Sequence, residues 1–168
     1  MWVSGDGATL TDSTGREYID GLSGLWNVNV GHGRKELGEA ARAQMGTLAF
    51  SSAYAGGTNE PAIELADKLS ALMYPSINTF FFTSGGAEAS ETSFKTARFY
   101  WKGVGKPGKF KVISRMRAYH GLTLAAMAPP GLRAFWPMFE PRTPGFSHID
   151  APDPYRFAHT DPTVGLGV

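Results

Sequence analysis

The 168-residue sequence contains no cysteine. Disulfides, thiolate nucleophiles, iron–sulfur ligation and cysteine-based zinc sites are therefore excluded, and the usage fits a cytoplasmic protein. Charge is also scarce, with 18% Asp, Glu, Lys and Arg against roughly 25% in an ordinary domain. The net charge is +1 and no Lys/Arg run is present, so nothing marks a nucleic-acid or membrane-surface partner. The uncharged stretch Gly121 to Leu132 is too short and too rich in Pro and Gly to cross a bilayer. The first residues lack the basic-then-apolar pattern of a signal peptide. What is abundant is glycine, 21 residues, and aromatic side chains, 12% of the total. Low charge with many aromatics argues against disorder and for a chain whose surface is covered by further segments or a partner.

Turn residues and periodicity divide the chain. Residues 1–20 read as a β-hairpin closed by Asp12-Ser13-Thr14-Gly15, followed by the glycine-studded segment Gly21 to Gly33. Leu37, Ala41, Met45 and Leu48 recur at helical spacing from Lys35 on. Asn59 is placed as an N-cap before Glu60-Pro61, with Ile63, Ala66, Leu69 and Met73 on one face and a Glu64–Lys68 pair on another. Residues 77–83 read as a buried strand, Ala87 to Lys102 as a helix and Phe110 to Arg115 as a second strand, a β–α–β unit. Eight of the eleven prolines fall after residue 128, which predicts irregular surface chain there.

Two places could carry chemistry. Thr83-Ser84-Gly85-Gly86-Ala87-Glu88 stands at a strand-to-helix switch, where backbone N–H groups and the helix dipole suit a phosphate. A tight turn selected for packing fits the same residues. Neither a G-x-x-x-x-G-K-[ST] loop nor a dinucleotide fingerprint is present; Gly5-Asp6-Gly7-Ala8-Thr9-Leu10 lacks the third glycine. The second place is Arg115-Met116-Arg117-Ala118-Tyr119-His120-Gly121, past the end of the second strand, where open α/β sheets gather ligands. Tyr119 offers a flat face there, with His120 and Arg117 as polar neighbours. Together the two places describe a pocket for a flat, phosphorylated molecule.

Three stretches, in order, resemble the class III, pyridoxal-phosphate-dependent aminotransferases. They are Tyr18 to Gly33, with Asp20-Gly21-Leu22-Ser23-Gly24-Leu25-Trp26 and Gly31-His32-Gly33; Phe81 to Arg98, with Ser84-Gly85-Gly86-Ala87-Glu88-Ala89; and Val112 to Arg115 leading to Tyr119-His120-Gly121. The resemblance runs to about residue 157. It implies an α/β chain of the fold-type I PLP-transferase kind: a partial large domain with a mixed or parallel sheet and flanking helices, behind an N-terminal β-hairpin. The division it suggests is residues 1–34 for hairpin and glycine-rich segment, and 35–168 for the incomplete PLP-binding domain.

The resemblance also assigns roles. Gly85, Gly86 and Ala87 fall where the family binds the phosphate of pyridoxal 5′-phosphate, with Ala87 replacing the usual serine. Tyr119 falls on the aromatic that stacks on the pyridine ring, His120 follows it, and Glu91 matches an acid near the cofactor. Trp26 falls on the aromatic lining the substrate pocket, although core packing with Leu22, Leu25 and Val28 reads equally well. Tyr54 lies where family homodimers approach a neighbouring active site. The implied reaction moves an amino group from an amine or ω-amino acid to a keto acid such as pyruvate. The alternatives are an aminomutase of the same fold, or a non-catalytic binding or dimerisation module.

The family's cofactor-bearing lysine and its Asp-Glu-Val aspartate have no counterpart among the 168 residues. None of Lys35, Lys68, Lys95, Lys102, Lys106, Lys109 and Lys111 has the lysine's context. The expectation is an N-terminal part of a large domain, without catalytic residues of its own and inactive by itself. His148, Asp150, Asp153, His159 and Asp161 lie close enough in sequence to suggest a metal, but their spacing fits no standard motif and a polar loop is expected.

Overall fold

In the computed structural model, which describes residues 1–54, 56–153 and 155, the chain forms two compact units, Met1–Thr79 and a second beginning at Phe80. The first twenty residues make three antiparallel strands where one hairpin was expected. They are β1 (Trp2–Asp6), β2 (Thr9–Asp12) and β3 (Glu17–Ile19), in that order across the sheet. Gly7-Ala8 supplies the additional turn. At the expected turn, Asp12 Oδ1 accepts hydrogen bonds from the Thr14 amide at 2.8 Å, the Thr14 hydroxyl at 2.6 Å and the Arg16 amide at 3.1 Å, an Asp-built turn.

The glycine-rich segment then makes a single helical turn, α1 (Ser23–Trp26), of the wrong hand. Its four residues have φ of +50°, +59°, +62° and +63°. For L-residues this conformation costs roughly 1–2 kcal/mol each, because Cβ crowds the following carbonyl; only Gly24 escapes. Two regular helices follow. In α2 (Lys35–Thr47) the apolar stripe matches its spacing. α3 (Glu60–Leu72) starts as its sequence dictates, with Asn59 Oδ1 accepting from the Ala62 amide at 3.0 Å and Pro61 in the first turn. The Glu64–Lys68 ion pair is not formed. Leu37, Met45 and Ile63 remain exposed, since no layer among the described residues covers those faces.

Residues 77–83 do not form the expected strand. The segment is β-rich, but a strand needs a ladder partner and the described residues provide none; Phe81 and Phe82 are exposed. The helix after it is α4 (Gly86–Gly103) and the strand beyond is β4 (Val112–Arg115). β4 pairs in parallel with β5 (Phe146–Ile149), Val112 opposite Phe146 and Arg115 opposite Ile149. That strand, and a 3₁₀ helix at Arg133–Met138, lie where prolines predicted irregular surface. Buried residues occur here as well: Pro129, Pro130 and Gly131, next to the buried Ala126 and Ala128, and Ser114 of β4 is buried too. The Ser114 hydroxyl donates to the Pro129 carbonyl at 2.5 Å, and Phe94 of α4 meets Phe146 of β5 edge to face, 5.2 Å between centroids.

Candidate functional site

The second unit brings the start of α4 and the loop after β4 together. Gly85, the N-cap of α4, has extended backbone, and no side chain caps the helix. The first amides of a helix have no partner four residues back, so those of Gly86 and Ala87 have no partner within α4. They line a cleft of about 590 Å³ whose opposite wall is Tyr119, His120, Gly121 and Leu122. The walls stay close because of Gly121. With φ +135°, a Cβ there would sit 2.7 Å from the Ala87 Cβ and 3.0 Å from the Ala126 Cβ. Any larger residue would push the loop off the helix.

Glu91, one turn further along α4, holds that loop. Its Oε1 accepts from the Thr123 hydroxyl at 2.5 Å, the Ala126 amide at 3.0 Å and the Ala125 amide at 3.1 Å. The Thr123 hydroxyl, then these two amides and the charge of Lys95, hold the Glu91 carboxyl below its ordinary value against a partial desolvation that raises it. Strain is concentrated just before the site, since Arg117 has φ +66°. Its amide donates to the Gly131 carbonyl at 3.1 Å and its guanidinium to Asp153 at 3.0 Å.

Tyr119 is 61% exposed and lines a second, apolar cleft of about 450 Å³ with Leu124, Met127, Trp136 and Phe139. Arg142 covers Trp136 there, 3.9 Å from the ring centroid. His120 Nε2 is buried and has no hydrogen-bond partner among the described residues, whereas buried polar groups are normally paired. Uncapped amides, a glycine-tight wall, an open aromatic face and an orphaned imidazole nitrogen fit a planar phosphorylated group such as pyridoxal phosphate.

Of the residues singled out from sequence, Gly85, Gly86, Ala87, Tyr119 and His120 meet around one cleft, with Glu91 behind it. Trp26 and Tyr54 belong to the first unit, both exposed. Of the metal-like set, His148 Nε2 pairs with the Pro129 carbonyl at 2.9 Å and Asp153 with Arg117; His159 and Asp161 lie outside the described residues. No metal-ligand cluster occurs among the described residues. Sequence reasoning missed the apolar cleft around Trp136 and the loop-holding work of Glu91, for which helical spacing carries no signal.

A family model, aminotransferase class-III, matches residues 1–164. The chain belongs to the class-III aminotransferases. This family works with pyridoxal 5′-phosphate. The chain is 42% identical over 137 residues to a β-alanine–pyruvate aminotransferase of Pseudomonas aeruginosa, covering 82% of this chain and 30% of that protein. It superposes on an (S)-enantioselective ω-transaminase from Thermomicrobium roseum with a TM-score of 0.90 and 48% identity, covering 95% of this chain and 36% of the other. For the ω-transaminase from Pseudomonas jessenii in complex with PMP the TM-score is 0.89 and the identity 33%, covering 99% and 39%. The fold is thus a part of the PLP-dependent transaminase fold, and the chain spans about a third of the length of the curated relatives it matches. No helix among the described residues is long and apolar enough to cross a membrane.

Proposed function

We propose that the protein carries the phosphate- and ring-binding half of a transaminase site, in an enzyme that moves an amino group from an amine or ω-amino acid to a keto acid such as pyruvate. The observation that carries this reading is the uncapped start of α4 facing Tyr119 and His120 across one cleft. The amides of Gly86 and Ala87, with the positive end of the α4 dipole, hold the phosphate. Tyr119 covers one face of the ring, and His120 Nε2 is a polar partner at the cofactor's edge. Glu91 acts at one remove, holding the loop that carries both. When bound, pyridoxal phosphate supplies the electron sink that lets a proton leave the amine carbon. The family resemblance also assigns Trp26 and Tyr54 to substrate binding, Tyr54 in a homodimer. On this reading residues 1–34 form an N-terminal arm, residues 35–168 belong to the large cofactor domain, and the enzyme works in the cytoplasm.

The test is amine-dependent conversion of pyruvate to alanine, measured for the protein from its native source and for the 168-residue chain. Turnover is expected from the native protein, and none above pyridoxal phosphate in buffer from the chain, none of whose seven lysines has the sequence context of the family's cofactor-bearing lysine. No alanine from the native protein overturns the reading. Turnover by the chain alone would assign the catalytic base to one of those seven.

A further inference from the structure

The loop that carries Tyr119 and His120 leaves the end of β4 and comes back to it. Gly131 closes it: its amide donates to the Ala118 carbonyl at 3.2 Å, and its carbonyl accepts from the Arg117 amide at 3.1 Å. The closure is tight, since a Cβ on Gly131 would stand 2.2 Å from the Met116 Cα. Arg117 has φ +66° there, a backbone that persists only where its surroundings over-determine it. The two residues before Gly131 are prolines and have no N–H to give a ladder. Their carbonyls are taken by side chains instead. Ser114 and His148 stand opposite each other in the β4–β5 register. Both reach the Pro129 carbonyl, the hydroxyl at 2.5 Å and Nε2 at 2.9 Å. A carbonyl only accepts, so His148 Nε2 carries the proton. Trp136 Nε1 donates to the Pro130 carbonyl at 2.9 Å, and its ring lies 5.0 Å from that of His148.

Pro129 is fully buried, and a carbonyl has two lone pairs, which Ser114 and His148 both serve. With one donor removed the other still satisfies it; with both removed a buried acceptor is orphaned. We infer that Ser114 and His148 are positioning residues, gripping the Pro129 carbonyl from two neighbouring strands and thereby setting, through Gly131, where the Tyr119–His120 wall of the cleft stands. Neither lines the cleft itself. Their grip is the sheet-side counterpart of Glu91, which holds residues 123–126 of the same loop from α4. The consequence for the cofactor rests on the reading of Tyr119 and His120 given above; the grip on the loop does not.

Amide hydrogen exchange of the native protein without cofactor tests the grip. The double variant joins Ser114→Ala to His148→Phe, which keeps a ring beside Trp136 and removes the N–H. In it the Arg117 and Gly131 amides should exchange about tenfold faster or more, as a buried carbonyl loses both donors. The Val112 and Met116 amides, bonded to the Gly145 and Ile149 carbonyls at 2.8 Å each, report on the β4–β5 pair and should stay protected. The two single variants together should account for less than the double, because each leaves one donor in place. Ser114→Ala joined to His148→Gln, which puts an amide donor where Nε2 stood, should return exchange to that of Ser114→Ala alone. Unchanged Arg117 and Gly131 amides in the double variant, effects that simply add, or no recovery with Gln overturn the proposal. Loss of protection at Val112 and Met116 as well would make the pair a fold-stability element only and overturn it too. Equilibrium dialysis of pyridoxal phosphate separates the grip from the cofactor reading. The double variant should weaken binding by no more than the roughly five- to tenfold expected of Tyr119→Ala. If Tyr119→Ala weakens binding and the double variant does not, the grip does not reach the wall and the proposal fails. If neither changes affinity while exchange rises, the cofactor reading of the wall fails and the grip stands.

Discussion

Both compact units hang a loop on one carboxylate, but over different spans. In the first, Asp20 gathers the Leu22 and Gly24 amides and the His32 ring, all within twelve residues. In the second, Glu91 reaches the Thr123 hydroxyl and the Ala125 and Ala126 amides, more than thirty residues ahead. Among the described residues the first unit has no buried residue, whereas the second buries Ala126, Ala128 and Pro129 in and just after the loop Glu91 holds. A local pin can force an unfavourable turn without a core. A long-range clamp has to be backed by packing, because it must close a larger loop.

The sharpest way to break the contrast is Glu91→Ala. It leaves the buried Ala126 amide without its acceptor, at about 1–3 kcal/mol for such a donor, and frees the loop on which Tyr119 and His120 stand. Amide hydrogen exchange should show Ala125 and Ala126 losing protection while Gly24 in the first unit keeps its own. Equal loss in both units, or none at Ala126, would end the distinction. Acid should act in the same direction. Since the folded state holds the Glu91 carboxyl below its ordinary value of 4.5, the clamp's contribution is complete above that value and is lost as pH falls through the lowered one.

A smaller effect is expected at the cleft wall. Tyr119→Ala should weaken binding of pyridoxal phosphate in the native protein about five- to tenfold, the order of 1 kcal/mol for one aromatic stacking contact. Tyr119→Phe should be mild, because the face and not the hydroxyl makes the contact. Equilibrium dialysis measures both, and equal affinity for parent and Ala variant would remove Tyr119 from the site.

Local features were legible in the sequence and non-local ones were not. Asn59 and Pro61 announced α3 because a cap and its first turn are neighbours in the chain. Gly85-Gly86 before a helical stripe placed the cleft's floor, and Tyr119-His120 its wall. The strand expected at 77–83 failed because β-propensity describes fit to a ladder, and no ladder reaches those residues among the ones described. β5 was hidden for the opposite reason: Phe146–Ile149 sits among prolines and becomes a strand only by pairing with β4, more than thirty residues back. The left-handed turn was invisible because Ser23, Leu25 and Trp26 have no preference for positive φ, and its hydrogen bonds to Asp20 form only once the segment is folded. Sequence places Glu91 as an acid near the cofactor, but its direction depends on a loop that no helical pattern reveals.

The claim on which the rest depends is that the start of α4 and the Tyr119 loop form one cofactor cleft. Amide NMR of the chain during titration with 4-deoxypyridoxine 5′-phosphate tests it most directly, because that analogue has no aldehyde to react with surface lysines. The account predicts that the Gly86 and Ala87 amides and those of Tyr119 and His120 shift together with one affinity, and that the same compound without its phosphate moves none of them. Shifts confined to one wall, or unchanged when the phosphate is removed, would contradict it.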